Sequence, residues 1–304
     1  MAKVRLGPDG VHIFDRNTGT NILLDEVTPI RSKWTQSPRQ VSIALINSCD
    51  LECTHCYAPK LPARLNTELV KQWLVELDKV GCFGIGFGGG EPTLHPDILE
   101  LCHFGMTETN LAITMTTHGH RLSGSVIETL KESVSFLRIS MDGTYNTYEK
   151  IRGRSFSPLL RTLELINGMI PFGVNYVVNE STIAELPIAI KLAEKYQASE
   201  FLLLPEVAFG RGKAVEKRTL KQLSDWLKTY SGDVQLSISS SHAELAHTQA
   251  PLPNEIEELA YAHIDANGIL KRCSFDTFGE VIGREGVMHA FGKLIQGKSY
   301  EIME

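Results

Sequence analysis

The stretch "VSIALINSCDLECTHCYAPK" (residues 41–60) carries an apolar, strand-like run straight into three cysteines, Cys49, Cys53 and Cys56, at the spacing C-x3-C-x2-C. The other three of the six cysteines, Cys82, Cys102 and Cys273, lie far from it and from one another. Six cysteines so unevenly placed in 304 residues do not make a disulfide framework, so the cluster reads as metal or redox chemistry. Thiolates are soft ligands that suit zinc, copper(I) or iron–sulfur clusters. Structural zinc wants four closed ligands, and enlisting His55 would crowd it against its neighbour Cys56 at a tetrahedral ion. A cubane iron–sulfur cluster can instead take three corners from three cysteines on a tight loop, leaving its fourth iron open to a substrate or cofactor.

Outward from this loop the chain repeats one rhythm. "NTELVKQWLVELDKVG" (66–81) sets Leu69, Val70, Trp73, Leu74, Leu77 and Val80 on one helical stripe, opened by Asn66 or Thr67 as cap and closed at Gly81. Further strands are read at "FGIGF" (83–87), "LAITM" (111–115), "FLRIS" (136–140), "FGVNYVV" (172–178) and "FLLL" (201–204), each followed by a candidate helix. Six βα units in a row favour a parallel sheet with helices outside, because parallel strands need crossover connections. Six are too few to close an eight-stranded barrel. The expected fold is therefore α/β: an open, partial (β/α)6 TIM-like barrel that takes its ligand at the carboxyl ends of the strands. The cysteine loop, "GGGEP" (88–92), "TTHGH" (116–120) and "MDG" (141–143) directly follow the first four strands, so four unusual loops share one rim.

Residues 1–37 read as short strands with turns at "GPDG" (7–10) and "RNTG" (16–19), an N-terminal β extension. Residues 38–232 form the core. Residues 233–304 read as a small C-terminal α+β tail: "VQLSIS", a polar stretch (239–255), then "YAHIDANGILKRCSFDTFGEVIG" (261–283) as a hairpin turning at "DANG". The net charge of -6 comes from interspersed acids and bases, and the one basic run, "GRGKAVEKR" (210–218), is short, so nucleic acid is not an expected partner. No apolar run approaches the ~18 residues of a membrane span, and "MAKVRLGPDG" lacks the apolar core of a signal peptide. No membrane association and a cytoplasmic location are expected.

The cysteine loop after a first strand, with His55 just before its last cysteine, together with "GGEP" after the second strand, resembles the radical S-adenosylmethionine (SAM) enzymes over roughly residues 38–232. The resemblance implies one [4Fe-4S] cluster on Cys49, Cys53 and Cys56, with SAM on the open iron. In that family an electron from the cluster cleaves SAM to a 5'-deoxyadenosyl radical, which abstracts a substrate hydrogen. By position His55 would lie near the adenine, while Gly89, Gly90 and Glu91 would hold the methionine amino end. Thr117 in "TTHG", where the family often has TTNG, is a candidate SAM contact, as is Ser140; Arg152 in "YEKIRG" would pair with the SAM carboxylate. Plainer roles exist for most of these. Glu91 suits a helix entry, Ser140 a strand end, Arg152 a surface ion pair, His118 and His120 satisfied loop positions, and Asp142 the "DG" turn.

The tail resembles the start of the SPASM or twitch extensions of radical SAM enzymes that act on peptides and proteins. Those carry several cysteines for auxiliary clusters, whereas this tail has Cys273 alone, which cannot hold a cubane. Cys273 is then a small apolar residue or a donor that returns a hydrogen atom to a substrate radical. The resulting expectation is a radical SAM enzyme that cross-links or epimerises a ribosomally made precursor peptide, served by an electron donor such as flavodoxin or ferredoxin. The alternatives are a radical SAM enzyme on a small molecule such as a nucleotide or sugar, and a non-enzymatic iron–sulfur or zinc protein.

Overall fold

In the computed structural model, which describes residues 2–246 and 252–301, the turn signals at the N-terminus produce three antiparallel strands: β1 (Lys3–Gly7), β2 (Gly10–Phe14) and β3 (Asn21–Leu24). His12 and Phe14 pack against Phe83 at the start of the core. Buried Arg5 donates to the carbonyls of Ser37 (2.7 Å) and Gly81 (3.0 Å), which pins this small sheet across the floor of the barrel.

The core follows as β4 (Gln40–Ile46), α1 (Thr67–Lys79), β5 (Gly84–Gly89), α2 (Ile98–Glu108), β6 (Ala112–Thr117), α3 (Gly124–Leu130), β7 (Phe136–Ser140), α4 (Tyr145–Arg152), α5 (Ser157–Ile166), β8 (Phe172–Val178), α6 (Leu186–Lys195), β9 (Glu200–Pro205) and α7 (Lys217–Thr229). Beyond it lie β10 (Gln235–Ile238), α8 (Glu257–Ala260), β11 (Tyr261–Ile264), β12 (Ile269–Lys271), β13 (Glu280–Val281) and α9 (Val287–Glu301). Helix α1 forms where its stripe predicts. Asn66 caps it by accepting from the Leu69 N–H at 3.1 Å, and Val70, Trp73, Leu74 and Leu77 are buried, worth roughly 1.5–3 kcal/mol each.

One sheet holds the core, in the order β10-β9-β8-β7-β6-β5-β4-β11-β12-β13. Every pairing from β10 to β11 is parallel, so among the described residues the parallel run is eight strands, not the six read from the sequence. The two extra strands come from beyond residue 232 and extend the core sheet at opposite sides, β10 beside β9 and β11 beside β4. Each has four residues and leans on a preformed edge. The sheet remains open, because β12 and β13 turn back antiparallel instead of closing on β10. At the "DANG" turn, Asp265 Oδ1 accepts from the Asn267 and Ile269 N–H groups and Gly268 adopts φ +77°. Within the polar stretch 239–255, residues 247–251 lie outside the described residues.

Strand alternation separates two environments. Val41, Ile43 and Leu45 of β4, Leu137 and Ile139 of β7, and Phe201 and Leu203 of β9 are fully buried under the helices. Ser42, Thr114, Thr116, Arg138 and Asn175 occupy the alternate positions and face a cavity inside the sheet's curve. No helix among the described residues is long and apolar enough to cross a membrane.

Candidate functional site

The loops that follow successive strands converge on one cavity of about 470 Å3. Its lining brings together Cys49, Cys53, His55 and Cys56 from the loop after β4, and Gly89, Gly90 and Glu91 from the end of β5. Thr117 ends β6, Ser140 ends β7, and Arg152 comes from the last turn of α4. Of the candidate residues, Cys273 alone stays off the lining, although its neighbours Ser274 and Phe275 are on it. Cys82 and Cys102 are fully buried elsewhere, and burial pushes their thiols up to about 11 and about 12.

The cysteine loop is held by backbone bonds from three sides. The Thr54 N–H donates to the Ile151 carbonyl (3.3 Å), the Arg211 N–H to the Cys56 carbonyl (3.0 Å), and the Glu91 N–H to the Ser48 carbonyl (2.9 Å). The last contact explains the glycines. A Cβ on Gly90 would sit 2.2 Å from the Ser48 oxygen, and one on Gly89, at φ +125°, would sit 2.3 Å from the Ile46 oxygen. Their close approach is thus to the chain's own backbone. Of Gly88, Gly89 and Gly90, Gly88 has nothing within 4 Å of its absent side chain, and it opens on the cavity.

Two buried carboxylates brace the loop. Glu91, 1% exposed, accepts from the Thr93 N–H (3.1 Å) and hydroxyl (2.6 Å), the Thr117 hydroxyl (2.7 Å) and the His118 N–H (3.0 Å). It therefore does serve a helix entry, at the 3-10 turn Pro92–Leu94. Asp142, read from sequence as a turn-former, is instead a hub. It pairs with Arg152 Nη2, accepts from His55 Nε2 at 3.1 Å and takes the Val177 N–H at 2.8 Å. A "DG" pair looks the same whether the carboxylate turns back on its own loop or reaches across the rim, so nothing local could reveal this. Burial alone would raise the Asp142 carboxyl, but the Arg152 guanidinium and His55 outweigh it and hold the group well below the usual carboxylate range. Arg152 is buried as well and points Nη1 at Cys53 Sγ, 3.5 Å away. It is not a surface ion pair.

The donor set fits a cluster better than a single ion. Thiolates on one tetrahedral ion lie about 3.8 Å apart, given a Zn–S distance of about 2.3 Å. Among the described residues the one trio of ligand atoms within 4.8 Å of one another is Cys49, Asp50 and His118, so the three sulfurs are not gathered to that spacing. That trio is poorly set for zinc. His118 Nδ1 accepts the His120 N–H (3.1 Å), and its Nε2 is engaged by two carboxylates, Asp50 at 2.8 Å and Glu91 at 3.3 Å. His120 is likewise satisfied, its Nε2 2.7 Å from the Tyr148 hydroxyl. Two buried atoms on the cavity's own residues, Arg152 Nε and His55 Nδ1, have no hydrogen-bond partner among the described residues. Such atoms suit a polar ligand alongside the thiols.

A sequence model described as the Radical SAM superfamily matches residues 43–193. An AdoMet-dependent heme synthase of Methanosarcina barkeri is 29% identical over 187 residues, 59% of this chain and 53% of that protein. A mycofactocin maturase, MftC, of Mycobacterium ulcerans is 30% identical over 163 residues, 51% of this chain and 44% of that protein. The chain thus spans about half the length of these relatives. In fold it is similar to Streptococcus suis SuiB bound to precursor peptide SuiA, with a TM-score of 0.74 at 13% identity over 92% of this chain and 84% of that one.

Proposed function

The chain carries a radical SAM domain over residues 43–193, and from that premise we propose that it cleaves SAM reductively at one [4Fe-4S] cluster and takes a hydrogen atom from a ribosomally made peptide. The observation that carries the proposal is the convergence of three free cysteines, the Gly88–Glu91 backbone and the Asp142-held Arg152 on one cavity. In this reading Cys49, Cys53 and Cys56 hold three irons, and the backbone of Gly89 and Gly90 faces the SAM amino end. Thr117 and Ser140 contact SAM from the strand ends. When bound, cluster and SAM together supply a one-electron cleavage that yields a 5'-deoxyadenosyl radical.

The remaining work falls to the chain's own side chains. Arg152 sets a fixed positive charge beside Cys53 and offsets the charge of ligating thiolates, while Asp142 orients both Arg152 and His55. Glu91 locks the β6 loop against the β5 loop through Thr117 and His118. The peptide substrate is supported by the maturase among the relatives and by the cavity mouth. There Tyr57 and Phe209 each meet Phe275 edge-on, at 5.3 and 5.6 Å, giving an aromatic rim that suits entering side chains. A one-electron donor of the flavodoxin or ferredoxin class would serve the cluster.

Anaerobic reconstitution tests the reading. About four irons with matching sulfide, SAM cleavage to 5'-deoxyadenosine, and a mass or chirality change in a candidate precursor peptide are the expected results. Stoichiometric zinc without iron would overturn it, and turnover of a nucleotide or sugar in place of a peptide would overturn its substrate half.

A further inference from the structure

The floor of the cavity holds a hydrogen-bonded trio that is not among the proposed SAM contacts. Strand β11 lies parallel to β4 with His263 opposite Ser42 and Tyr261 opposite Gln40, and alternation turns Tyr261 and His263 toward the cavity while Ala262 and Ile264 are fully buried. Ser42 Oγ sits 2.5 Å from the Tyr261 hydroxyl and 2.6 Å from His263 Nδ1, and all three residues line the cavity. Burial pushes the Tyr261 phenol up to about 12 and the His263 imidazole down to about 4, so near neutrality the phenol keeps its hydrogen and the ring is uncharged. Run inward, each link has a donor and an acceptor: His263 Nδ1–H donates to Ser42, the Ser42 hydroxyl donates to the Tyr261 oxygen, and the phenolic hydrogen is left for the cavity.

Resting on the proposed radical chemistry, we propose that Tyr261 returns a hydrogen atom to the substrate radical, with Ser42 and His263 as its proton supply. In the first step the Tyr261 O–H bond breaks and a substrate C–H bond forms, leaving a phenoxyl radical. In the second, the phenoxyl takes one electron from the same class of one-electron donor that serves the cluster and one proton from Ser42. Ser42 is refilled from His263, and His263 from water. The substrate's redox state is unchanged, and the hydrogen it gains is solvent-exchangeable. This role falls to Tyr261 and not to Cys273, whose residue lies off the lining.

The test needs no identified substrate. The reconstituted chain is given SAM and dithionite in deuterium oxide without peptide, and the deuterium carried by each 5'-deoxyadenosine formed is read by mass spectrometry as a fraction, so the amount formed does not enter. Wild type should give monodeuterated product. Tyr261→Phe should lose the label, whereas Tyr230→Phe, whose hydroxyl donates to the Val234 carbonyl away from the cavity, and Cys273→Ala should keep it. Freeze-quenched wild type should also show a phenoxyl electron-spin signal that narrows when its tyrosines are ring-deuterated, which covers a Tyr261→Phe protein that does not fold. A label retained in Tyr261→Phe, or unlabelled product and no phenoxyl signal in wild type, overturns the Tyr261 role alone. No 5'-deoxyadenosine at all overturns the proposed function and this role with it.

Discussion

The two faces of the parallel sheet are one residue apart along each strand, yet they answer to different demands. On β4, Ile43 is fully buried beneath the helices, whereas Ser42 looks into the cavity and bonds Tyr261 and His263. On β7, Leu137 belongs to the core and Arg138 reaches Glu200 at 2.9 Å from the cavity side. The outer face stabilises through apolar area and packing; the inner face carries polar groups that need partners more than volume. Stability and chemistry are thereby separated by a period of two, and most substitutions should touch one without the other.

Asp142→Asn is the sharpest attempt to break that separation. Asp142 borders the cavity yet is the buried partner of Arg152, so losing its charge should cost roughly 3–5 kcal/mol, as much as a core deletion. Denaturant unfolding measures it, and replacing Arg152 by Met in the same chain should recover part of the loss. Leu137→Ala, on the helix face, should cost about 2–5 kcal/mol while iron loading of the reconstituted protein stays normal. Acid probes the inner face differently. His263 is shifted from 6.5 to about 4 by burial, so the unfolded chain binds the proton first, and stability should fall as pH drops from about 6.5 to about 4. A shift of that size corresponds to roughly 3 kcal/mol, seen as a sloping unfolding free energy that His263→Gln makes shallower. The smallest effect should come from Thr114→Val, which removes one hydroxyl bonded to the Ile85 carbonyl at 3.2 Å. About 1 kcal/mol or less is expected by thermal melting, and a larger loss would mean that the inner face is also structural.

Much of this was legible in the residues. The six strands announce themselves by alternation and by the helices between them, and the cysteine loop and "GGEP" mark the rim because their residue types are rare at such spacing. Strands β10 and β11 were not legible as core. "QLSI" and "YAHI" are too short to stand alone, and become strands only beside edges supplied by distant sequence. The same holds for the cavity floor, since Ser42, Tyr261 and His263 meet only through the β4–β11 register. Gly89 and Gly90 were recognisable as a place where backbone comes close, but not that the backbone is that of Ile46 and Ser48. Cys273 stands out in a string of letters by its rarity; its distance from the lining depends on how the tail hairpin lies.

The parallel pairing of β11 with β4 also bears on how the chain is assembled. Until residues 261–264 are made, the strand that leads into the cysteine loop has one unpaired edge, and Arg5 and Arg39 lack the Leu259 carbonyl that each later reaches. Contacts so distant in sequence form late and slowly, and an open apolar edge is exposed meanwhile. The nascent protein should therefore pass through a state in which the cysteine loop exists but its strand is not enclosed. Completion of β11 then pairs that edge, so the wall of the cavity is finished after the loop it faces.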